Sequence, residues 1–413
     1  MKSVCFLVQN HYDLDIRVRR KAEALVAAGY SVDAYALRAA NGPKEYTLNG
    51  VNVYTVSLGK QRGSLARYAF EYAAFFLWAL MRVTVQMRRK RYAVVDVNTL
   101  PDFLIFAGVF ARFMGAKLLL DMHEITPEFY MSKYGIAQDS WLVRLLTFVE
   151  KRSFKFADHV LTINEPIQDL LASRGLPHQK CTVIMNSADE SNFAFQHSER
   201  TENGQFVMMY HGTLTKLYGL DIAIEAFATV HVEMPGAEFW ILGGGPEAPA
   251  LQKLARDRGL ELKVKLVGLV RPSEIPSWLN RCDLGILPLR RDVFLEFASP
   301  NKLAEFIIMG KPVVISRLRA VQRYFSADAL GLFEPNDPAA LARQMVRLYS
   351  DRTLRERMVA NAKLEYAPIC WDVMKQRYLA VVQEMSAEIP VVEQPQSVRA
   401  STPSQDPRPG QSQ

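Results

Sequence analysis

The amino-acid sequence predicts an α/β protein with two Rossmann-like domains that face each other across a cleft. Short apolar runs alternate with helical segments along most of the 413 residues, and this alternation is typical of doubly wound parallel sheets. The alternation occurs in two series, which a polar stretch separates. A chain of this length exceeds one ordinary core and suits two domains with a tail.

The first series begins with the apolar run Val4–Val8, which predicts a strand because it is too short for the core of a secretory signal. We therefore expect a cytoplasmic protein. A polar loop, Gln9–Asp15, and a helix from about Arg17 to Ala28 follow, and Gly29 ends the helix. Further strands are predicted at Ser31–Leu37, Val51–Val56, Val94–Val97, Ala116–Asp121, His159–Ile163 and Thr182–Met185.

The second series has its own strands and helices. The predicted strands are Phe206–Tyr210, Glu238–Leu242, Lys263–Leu266, Leu284–Ile286 and Pro312–Ile315. The predicted helices are Gly219–Val230, Pro249–Arg258, Ile275–Asn280, Lys302–Met309 and a long final helix. The expected division is a first domain (1–190), a linker (191–204), a second domain (205–370), a final helix (371–388) and a disordered tail (389–413).

The overall charge and the cysteines exclude several classes of protein. There are 50 Lys and Arg residues against 43 Asp and Glu residues, a net charge of +7, which suits a small anionic substrate or an anionic membrane surface. No basic stripe interleaved with aromatics favours nucleic acid. The four cysteines lie at no metal-ligand spacing, so we expect neither a disulfide framework nor a zinc site.

The stretch Tyr72–Arg91 is unusually aromatic and ends in basic residues. Tyr72–Met81 carries no charge, and Arg88–Arg91 is wholly basic. A membrane span needs about 20 apolar residues, so a transmembrane helix is excluded. Two interpretations stay open: a helix packed on the sheet with a solvated basic end, or an interfacial helix that contacts the inner leaflet of a membrane.

The segment Ser299–Val314 carries the strongest functional signal. Ser299 and Pro300 precede a helical stretch, and the unpaired N–H groups at a helix start suit a phosphate. Lys302 adds positive charge in the first turn, and Glu305 lies one turn further on the same face. A carboxylate there can accept hydrogen bonds from ribose hydroxyls. The alternative is a capped helix with Glu305 on a solvated face.

This segment resembles the donor-site signature of retaining GT-B glycosyltransferases of the family-4 type. In that signature seven residues separate two Glu residues, and a small-residue helix ends in Gly-x-Pro-Val. Glu305 matches the second Glu, which in the family binds the ribose of the nucleotide. Phe297 occupies the place of the first Glu, which contacts the donor sugar. Glu296, one residue out of register, or the backbone amides of 297–301 are the candidates to replace it. The resemblance covers residues 2–388.

Glycine-containing loops of the second series match the family's nucleotide site. Gly212 is expected against the diphosphate, while Thr213 and Tyr218 stand where many members carry an Arg and a Lys. Lys216 or Lys302 is expected to neutralise the diphosphate in their place. The expected donor-binding residues are Gly212, Thr213, Lys216, Gly243, Gly244, Gly268, Leu269, Glu296, Ser299, Pro300, Asn301 and Leu303, and the expected catalytic residues are His123, Lys302 and Glu305.

Polar residues also follow strand ends in the first series, where α/β enzymes place their chemistry. His123 matches a family His that contacts the donor sugar or its phosphate, with a structural His as the alternative. The turn Thr126-Pro127-Glu128 is expected to shape an acceptor loop. For Arg17, a surface ion pair is the alternative to a cleft contact. The residues expected on the acceptor side are Asp15, Arg17, Asn98, Asp102 and Glu124.

The resemblance implies transfer of a sugar from a nucleoside-diphosphate sugar to a hydroxyl acceptor, with retention at the anomeric carbon and without a metal or cofactor. The expected acceptor is a lipid-linked or cell-surface polysaccharide intermediate. Helix N-termini at Gly212 and at Ser299–Lys302 are expected to stabilise the leaving diphosphate. Two alternatives stay open: a nucleotide-sugar epimerase, which needs no acceptor, and a membrane-associated polysaccharide-assembly protein with a vestigial site.

Overall fold

Two α/β domains form the protein, which is described here by a computed structural model. The structure describes residues 1–58, 65–188, 190, 193 and 205–387. Nearly all of the expected linker, 191–204, and the whole expected tail, 389–413, lie outside the described residues. The predicted fold class, two parallel-sheet α/β domains, is confirmed.

The described part of the first domain forms an eight-stranded sheet in the order β3-β4-β2-β1-β5-β6-β7-β8. Its strands are β1 (Ser3–His11), β2 (Ser31–Leu37), β3 (Glu45–Leu48), β4 (Val51–Val56), β5 (Val94–Asn98), β6 (Lys117–Met122), β7 (His159–Thr162) and β8 (Cys181–Val183). All neighbouring strands are parallel except β3, which pairs antiparallel with β4 at the edge. The apolar-run pattern does not predict β3, because its edge position leaves alternate residues exposed.

Helices cover both faces of this sheet. They are α1 (Ile16–Ala27), α2 (Leu65–Lys90), α3 (Val109–Phe113), α4 (Thr126–Tyr134), α5 (Trp141–Phe156) and α6 (Glu165–Ser173). The carboxylate of Asp15 accepts a hydrogen bond from the N–H of Val18 and so caps the start of α1. The predicted turn at 126–128 is wrong: these residues form the first turn of α4, where Pro127 costs no backbone hydrogen bond.

Helix α2 has two apolar faces. One face packs into the core and contains Phe75, Ala79, Val83 and Met87. The opposite face exposes between 55 and 61% of Phe70, Leu77, Met81 and Val85. Packing against the sheet therefore accounts for only one face. No helix among the described residues is long and apolar enough to cross a membrane.

The second domain contains a six-stranded parallel sheet in the order β11-β10-β9-β12-β13-β14. Its strands are β9 (Phe206–His211), β10 (Ala237–Leu242), β11 (Val264–Gly268), β12 (Leu284–Leu287), β13 (Val313–Ser316) and β14 (Gly331–Phe333). Its helices are α7 (Leu220–Val230), α8 (Ala248–Asp257), α9 (Ile275–Asn280), α10 (Asn301–Ile308), α11 (Arg319–Tyr324), α12 (Pro338–Ser350) and α13 (Arg352–Tyr366).

The last helix, α14 (Trp371–Ala387), leaves the second domain and packs on the first. Its buried side chains join the core formed by β1, β2, β4 and α1; they are Trp371, Met374, Tyr378, Val382 and Met385. The predicted crossing of the C-terminal helix back to the first domain is confirmed. The core of the first domain is therefore completed by residues that follow the second domain in the chain.

The two domains also touch at the loop before α10. The side-chain amide of Asn164 in the first domain donates to the carbonyl oxygen of Phe297 (2.7 Å) and to Oγ of Ser299 (3.2 Å). The ring of Phe294 packs against that of Phe129 with 5.5 Å between centroids. These contacts bring the carboxyl ends of the strands of both sheets to one cleft.

Candidate functional site

Hydrogen bonds from glycine N–H groups join the carboxyl ends of β9, β10 and β11 in the second domain. We call the four glycines there the glycine platform (Gly212, Gly243, Gly244 and Gly268). The N–H of Gly212 donates to Leu242 O (2.9 Å), and the N–H of Gly243 donates to Gly268 O (2.7 Å). Gly243 has a φ of 134°, and a Cβ on it would collide with the carbonyl of Gly212. Only glycine allows this approach, so the platform is built from backbone at the carboxyl ends of parallel strands.

The outer edge of the glycine platform carries an exposed apolar residue. Gly244 accepts a hydrogen bond from the N–H of Leu214 (3.0 Å), and a Cβ on Gly244 would contact the side chain of Leu269 at 3.1 Å. Leu269 itself is 86% exposed. Gly268 and Leu269 are thus placed where a flat group could lie against the edge of the sheet.

A half-buried cation lies directly on the glycine platform. The side chain of Lys302 crosses Gly212 so closely that a Cβ there would collide with it. Its Nζ lies 4.1 Å from the ring centroid of Tyr218 and 4.9 Å from that of Tyr210, and both aromatic faces attract the charge. Burial lowers the pKa of Lys302 to about 8, although Glu305 acts in the opposite direction.

Glu305 lies beside this cation and faces His211. One carboxylate oxygen of Glu305 is 3.3 Å from Nε2 of His211. Burial raises the pKa of Glu305 to about 7, with Lys302 opposing the shift. Burial and the charge of Lys302 lower the pKa of His211 to about 3. His211 is therefore neutral, and Glu305 changes its protonation state near neutrality. His211 was not predicted; its signal was its place at a strand end directly before Gly212.

The residues at the place of the family's first Glu have other partners. The carboxylate of Glu296 accepts from Nε of Arg291 (3.1 Å) and from the backbone N–H of Arg319 (2.9 Å), at the start of α11. The ring of Phe297 packs against the core of the first domain and lies 5.4 Å from the guanidinium of Arg319. Contact of Glu296 with a sugar would require release from both partners.

The residues at the start of α10 hold the domain interface. Ser299 accepts the hydrogen bond from Asn164, and Pro300 occupies the N-cap position. Pro300 and Leu303 line an apolar cavity of about 20 Å³ between the domains. Asn301 is exposed. Any contact of this segment with a donor would therefore come from its backbone, Asn301 or Lys302.

The loop after Gly212 differs from the prediction. Thr213 and Lys216 have exposed side chains. Of the two lysines expected to neutralise the diphosphate, Lys216 and Lys302, Lys302 is therefore the more buried. The expectation of a helix N-terminus at Gly212 is wrong. A single 3-10 turn separates Gly212 from α7, because Gly219 at a φ of 61° redirects the chain before the helix begins.

The first domain contributes a buried polar group at the ends of β5 and β6, the strand-end cluster (Lys21, Asp96, Asn98, Asp121 and His123). Nε2 of His123 lies 3.1 Å from Oδ1 of Asn98 and 3.3 Å from Oδ2 of Asp121. Burial lowers the pKa of His123 well below its usual value, and nearby Arg17, Lys21 and Arg20 add to the shift. His123 is therefore a neutral imidazole.

Lys21 and Asp96 complete the strand-end cluster, and neither was predicted. Lys21 pairs with Asp121 and donates to Oδ1 of Asn98 at 3.1 Å. Burial lowers its pKa to about 8, against the opposing charge of Asp96. The Asn98 amide donates to Asp96 (3.1 Å), which also accepts from the hydroxyl of Tyr378 in α14 (2.8 Å). For Asp96, the available signal was a charged residue inside the apolar strand β5.

Among the expected acceptor-side residues, Asp15 and Arg17 pair with each other. Arg17 Nε lies 3.3 Å from the carboxylate of Asp15 and remains 29% exposed. Burial acts to raise the pKa of Asp15, but Arg17, Asn10 and the N–H of Val18 outweigh it, and the pKa is lowered. The surface ion pair that was the alternative for Arg17 is thus present.

Asp102 and Glu124 occupy different places. Asp102 is buried, accepts from Thr126 Oγ1 (2.9 Å), and has a pKa raised to about 7 by burial. Glu124 is half-buried, and burial raises its pKa despite Arg17 and Lys133. Burial, and then the charge of Glu124, raise the pKa of Tyr218 in the second domain.

Carboxylates in the loop before α1 are engaged individually. Asp13 and Asp15 are two residues apart, but Asp13 accepts from the hydroxyl of Tyr46 (2.6 Å) while Asp15 caps α1. Within the described ranges, no group of three or more His, Cys, Asp or Glu side chains is arranged to hold a metal ion.

Two facing α/β domains, a cleft between their strand ends and a final helix that crosses back define the GT-B class of glycosyltransferases. Two family models match this chain: the glycosyl transferase 4-like domain over residues 14–187 and glycosyl transferases group 1 over residues 205–351. Together they span most of its length, and the chain belongs to the group 1 glycosyltransferases.

Curated relatives are similar over part of their length. The alpha-D-kanosaminyltransferase of Streptomyces kanamyceticus is 24% identical over 267 residues, which cover 61% of this chain and 66% of that protein. The amylovoran biosynthesis glycosyltransferase AmsK of Erwinia amylovora is 28% identical over 200 residues, 48% of this chain and 49% of its own. The chain thus spans about half to two thirds of these relatives.

Solved structures match nearly the whole chain. Sucrose-phosphate synthase from Thermosynechococcus elongatus superposes with a TM-score of 0.74 at 16% identity, covering 94% of this chain and 100% of that one. HepE from Anabaena, solved in complex with UDP, gives a TM-score of 0.69 at 18% identity, with 93% and 100% covered. At these identities the likeness shows the shared fold.

Proposed function

We propose that this glycosyltransferase moves a sugar from a nucleoside-diphosphate sugar to a hydroxyl acceptor with retention of anomeric configuration. The observation that carries the proposal is Lys302, a half-buried cation lying on Gly212 beside Glu305. A half-buried positive charge on a backbone platform is suited to a diphosphate that gains charge as the sugar leaves.

Each part of the second domain has a role in this proposal. Lys302 neutralises the leaving diphosphate, so no metal ion is required for that charge. The glycine platform lets the diphosphate approach the backbone closely. Glu305, whose carboxylate lies 3.3 Å from Nε2 of His211, accepts hydrogen bonds from the ribose. The edge formed by Gly268 and Leu269 receives the base. HepE, which shares the fold, is solved with UDP, which supports a nucleotide here.

The strand-end cluster holds the sugar and completes the reaction centre. His123 contacts the donor sugar, and Glu124 lies at the cleft on the acceptor side. Retaining hydrolases use two opposed carboxylates, whereas Asp121, Asp96 and Asp102 are bonded to Lys21, Tyr378 and Thr126, respectively. As the resemblance to retaining glycosyltransferases implies, the acceptor proton passes to an oxygen of the leaving phosphate, so no separate base is required in this proposal.

We further propose a lipid-linked or polysaccharide acceptor reached at the inner leaflet of the cytoplasmic membrane. The exposed apolar face of α2 runs toward the exposed basic residues Arg88 and Arg89, whereas Lys90 pairs with the buried Asp33. Helix α3 lies beside α2 and exposes Phe110 and Phe113. Apolar side chains flanked by basic ones suit an anionic lipid surface. AmsK is named for amylovoran biosynthesis, which supports a polysaccharide product.

A thermal-shift screen against UDP, GDP and ADP sugars tests the donor. One nucleotide class should raise the stability by about 2.7 kcal/mol at 100 times its Kd, and the Lys302→Met variant should lose most of that gain. Product analysis should then show a new glycoside of retained configuration, formed equally well in EDTA. Absence of stabilisation by every nucleoside diphosphate would favour the vestigial-site alternative, and sugar interconversion without an acceptor would favour an epimerase.

Sedimentation with vesicles tests the membrane proposal. The Leu77→Glu/Met81→Glu double variant should lose binding to anionic vesicles, because both side chains lie on the exposed face of α2. Leu262 is 85% exposed in the second domain, so Leu262→Glu serves as the matched control and should bind like the wild type. Equal binding by all three proteins, or binding by none, would contradict the proposal.

A further inference from the structure

The partners of His123 determine which of its ring nitrogens carries the proton. Nε2 faces the amide oxygen of Asn98 at 3.1 Å and a carboxylate oxygen of Asp121 at 3.3 Å. Both oxygens accept hydrogen bonds, so Nε2 must be the protonated nitrogen. Nδ1 is buried and has no hydrogen-bond partner among the described residues. In a neutral ring Nδ1 therefore presents a lone pair.

The orientation of Asn98 is itself fixed from the far end of the chain. Its amide nitrogen donates to one oxygen of Asp96 (3.1 Å), and the other oxygen accepts from the hydroxyl of Tyr378 (2.8 Å). Burial raises the pKa of Tyr378 well above its usual value, so its hydroxyl remains a donor. The hydroxyl of Tyr378 thus orients the carboxylate of Asp96, Asp96 orients the amide of Asn98, and the amide oxygen of Asn98 orients the ring of His123.

We propose that Lys21 and Tyr378 are positioning residues that hold His123 as the neutral Nε2–H tautomer and so leave Nδ1 to accept a hydrogen bond from a substrate hydroxyl. Tyr378 acts through Asp96 and Asn98. Lys21 acts by pairing with Asp121 and so offsets the negative charge that lies 3.3 Å from Nε2 of the imidazole. The choice of a hydroxyl partner rests on the proposed function, whereas the tautomer does not.

Charges around the imidazole agree with this assignment. Asp121 from β6 faces the ring and favours an imidazolium, while Lys21, Arg20 and Arg17 from α1 oppose it. The remaining neighbours are the neutral side chain of Asn98 from β5 and the hydroxyl of Thr99, which accepts from the backbone N–H of His123 at 3.2 Å. Burial and the three cations keep the pKa of His123 well below its usual value.

Long-range ¹⁵N–¹H spectra of histidine-labelled protein test the tautomer without any substrate. His123→Gln identifies the His123 signals among the seven histidines. The wild type should show a protonated Nε2 and an unprotonated Nδ1 between pH 6 and 8. An Nδ1–H tautomer, or an imidazolium at neutral pH, would overturn the proposal even if sugar transfer is intact. The expected tautomer without any sugar transfer would leave the positioning role standing and refute only the proposed function.

Variants test the two positioning residues. Tyr378→Phe should release Asn98, add an Nδ1–H population to the spectrum, and lower kcat about 5- to 10-fold with little change in the donor KM. Tyr30→Phe is the matched control, because Tyr30 also meets α14 through its hydroxyl, 3.4 Å from Ser386, but does not touch the strand-end cluster. If Tyr30→Phe and Tyr378→Phe behave alike, Tyr378 has only a packing role.

Lys21→Met should make activity dependent on His123 protonation. Without the cation, Asp121 is free to pair with the imidazole, so the pKa of His123 rises and kcat/KM falls as the pH is lowered through it. The wild type should show no such fall between pH 8 and 6. A flat pH profile and an unchanged His123 spectrum in a folded Lys21→Met protein would refute the role of Lys21. Should this variant fail to fold, the wild-type spectrum and Tyr378→Phe decide the matter.

Discussion

The glycine platform and the strand-end cluster both lie at the carboxyl ends of parallel strands, yet the first is built from backbone and the second from side chains. In the second domain the backbone forms the surface, and the half-buried side chain of Lys302 crosses it at Gly212. In the first domain buried side chains form the surface and are bonded to one another. A backbone surface accepts any phosphate, whereas a fixed set of side chains can select among sugar hydroxyls.

This difference bears on the family residues that the second domain lacks. Thr213 and Tyr218 stand where many members carry an Arg and a Lys, but Tyr218 now offers its ring to Lys302 at 4.1 Å. In the proposed function, one cation held by two aromatic rings would take the place of two further cations. In the strand-end cluster a comparable loss would leave a buried charge without a partner, which is costly.

The largest effect is expected for Lys302→Met, which removes the cation that crosses the glycine platform. Turnover should fall about 10²- to 10³-fold, as for the loss of a group that stabilises charge in the transition state. Steady-state kinetics with a saturating donor measure this. Lys216→Met is the matched comparison, because Lys216 is exposed in the same domain. A larger loss for Lys216→Met would show that Lys216 neutralises the diphosphate instead.

His123→Ala should have the next largest effect, and it separates the two regions. Loss of a buried hydrogen bond to the sugar should lower turnover about 10- to 100-fold. The affinity for the nucleoside diphosphate without its sugar should not change, because His123 lies in the opposite domain. Calorimetric titration with the diphosphate and with the intact donor measures both. An equal loss of affinity for the nucleoside diphosphate and for the intact donor would show that His123 contacts a phosphate rather than the sugar.

Glu305→Gln should weaken donor binding about 10-fold, because the amide retains only one of the two acceptor oxygens. It should also change how stability depends on pH. The pKa of Glu305 is raised from 4.5 to about 7, so the unfolded chain loses this proton first and wild-type stability falls as the pH rises through that interval. The variant should lack this fall in denaturant titrations. The same pH dependence of stability in the wild type and the variant would show that Glu305 is exposed to water in the folded protein.

The smallest effect is expected for Tyr218→Leu, which removes one aromatic face from Lys302. A cation–π contact contributes about 1 kcal/mol, so turnover should fall about 5-fold. Tyr218→Phe keeps the ring and should behave almost as the wild type in the same assay. If the Phe variant loses as much as the Leu variant, the hydroxyl rather than the ring is the important group.

The fold was predictable because it depends on local patterns. Buried parallel strands read as continuous apolar runs, as at Val4–Val8 inside β1, and they were found to within a few residues. The glycine loops that follow strands were also predictable, because they too are local sequence patterns. Two strands were missed, because β3 is short and half exposed and β14 has only three residues. The misread turn at Thr126 required knowing that Pro127 begins a helix.

The site was only partly predictable because its partners are distant in sequence. Lys21 meets Asp121, and Asp96 meets Tyr378, 282 positions further along the chain. A pattern of apolar residues cannot indicate such pairs. Glu305 and Lys302 were found because they share one helical turn. The exposed Lys216 could not be ranked against Lys302 before the packing of Tyr218 was known.

The hydroxyl of Tyr378 has a consequence for biosynthesis. A growing chain generally folds its first domain before the rest has been made. Here the ribosome must complete the entire second domain before α14 can supply the donor that Asp96 lacks and the five apolar side chains missing from the first core. Until α14 docks, the nascent first domain therefore has an open hydrophobic groove, and one carboxylate oxygen of Asp96 lacks its donor. The strand-end cluster acquires its final form only when α14 docks.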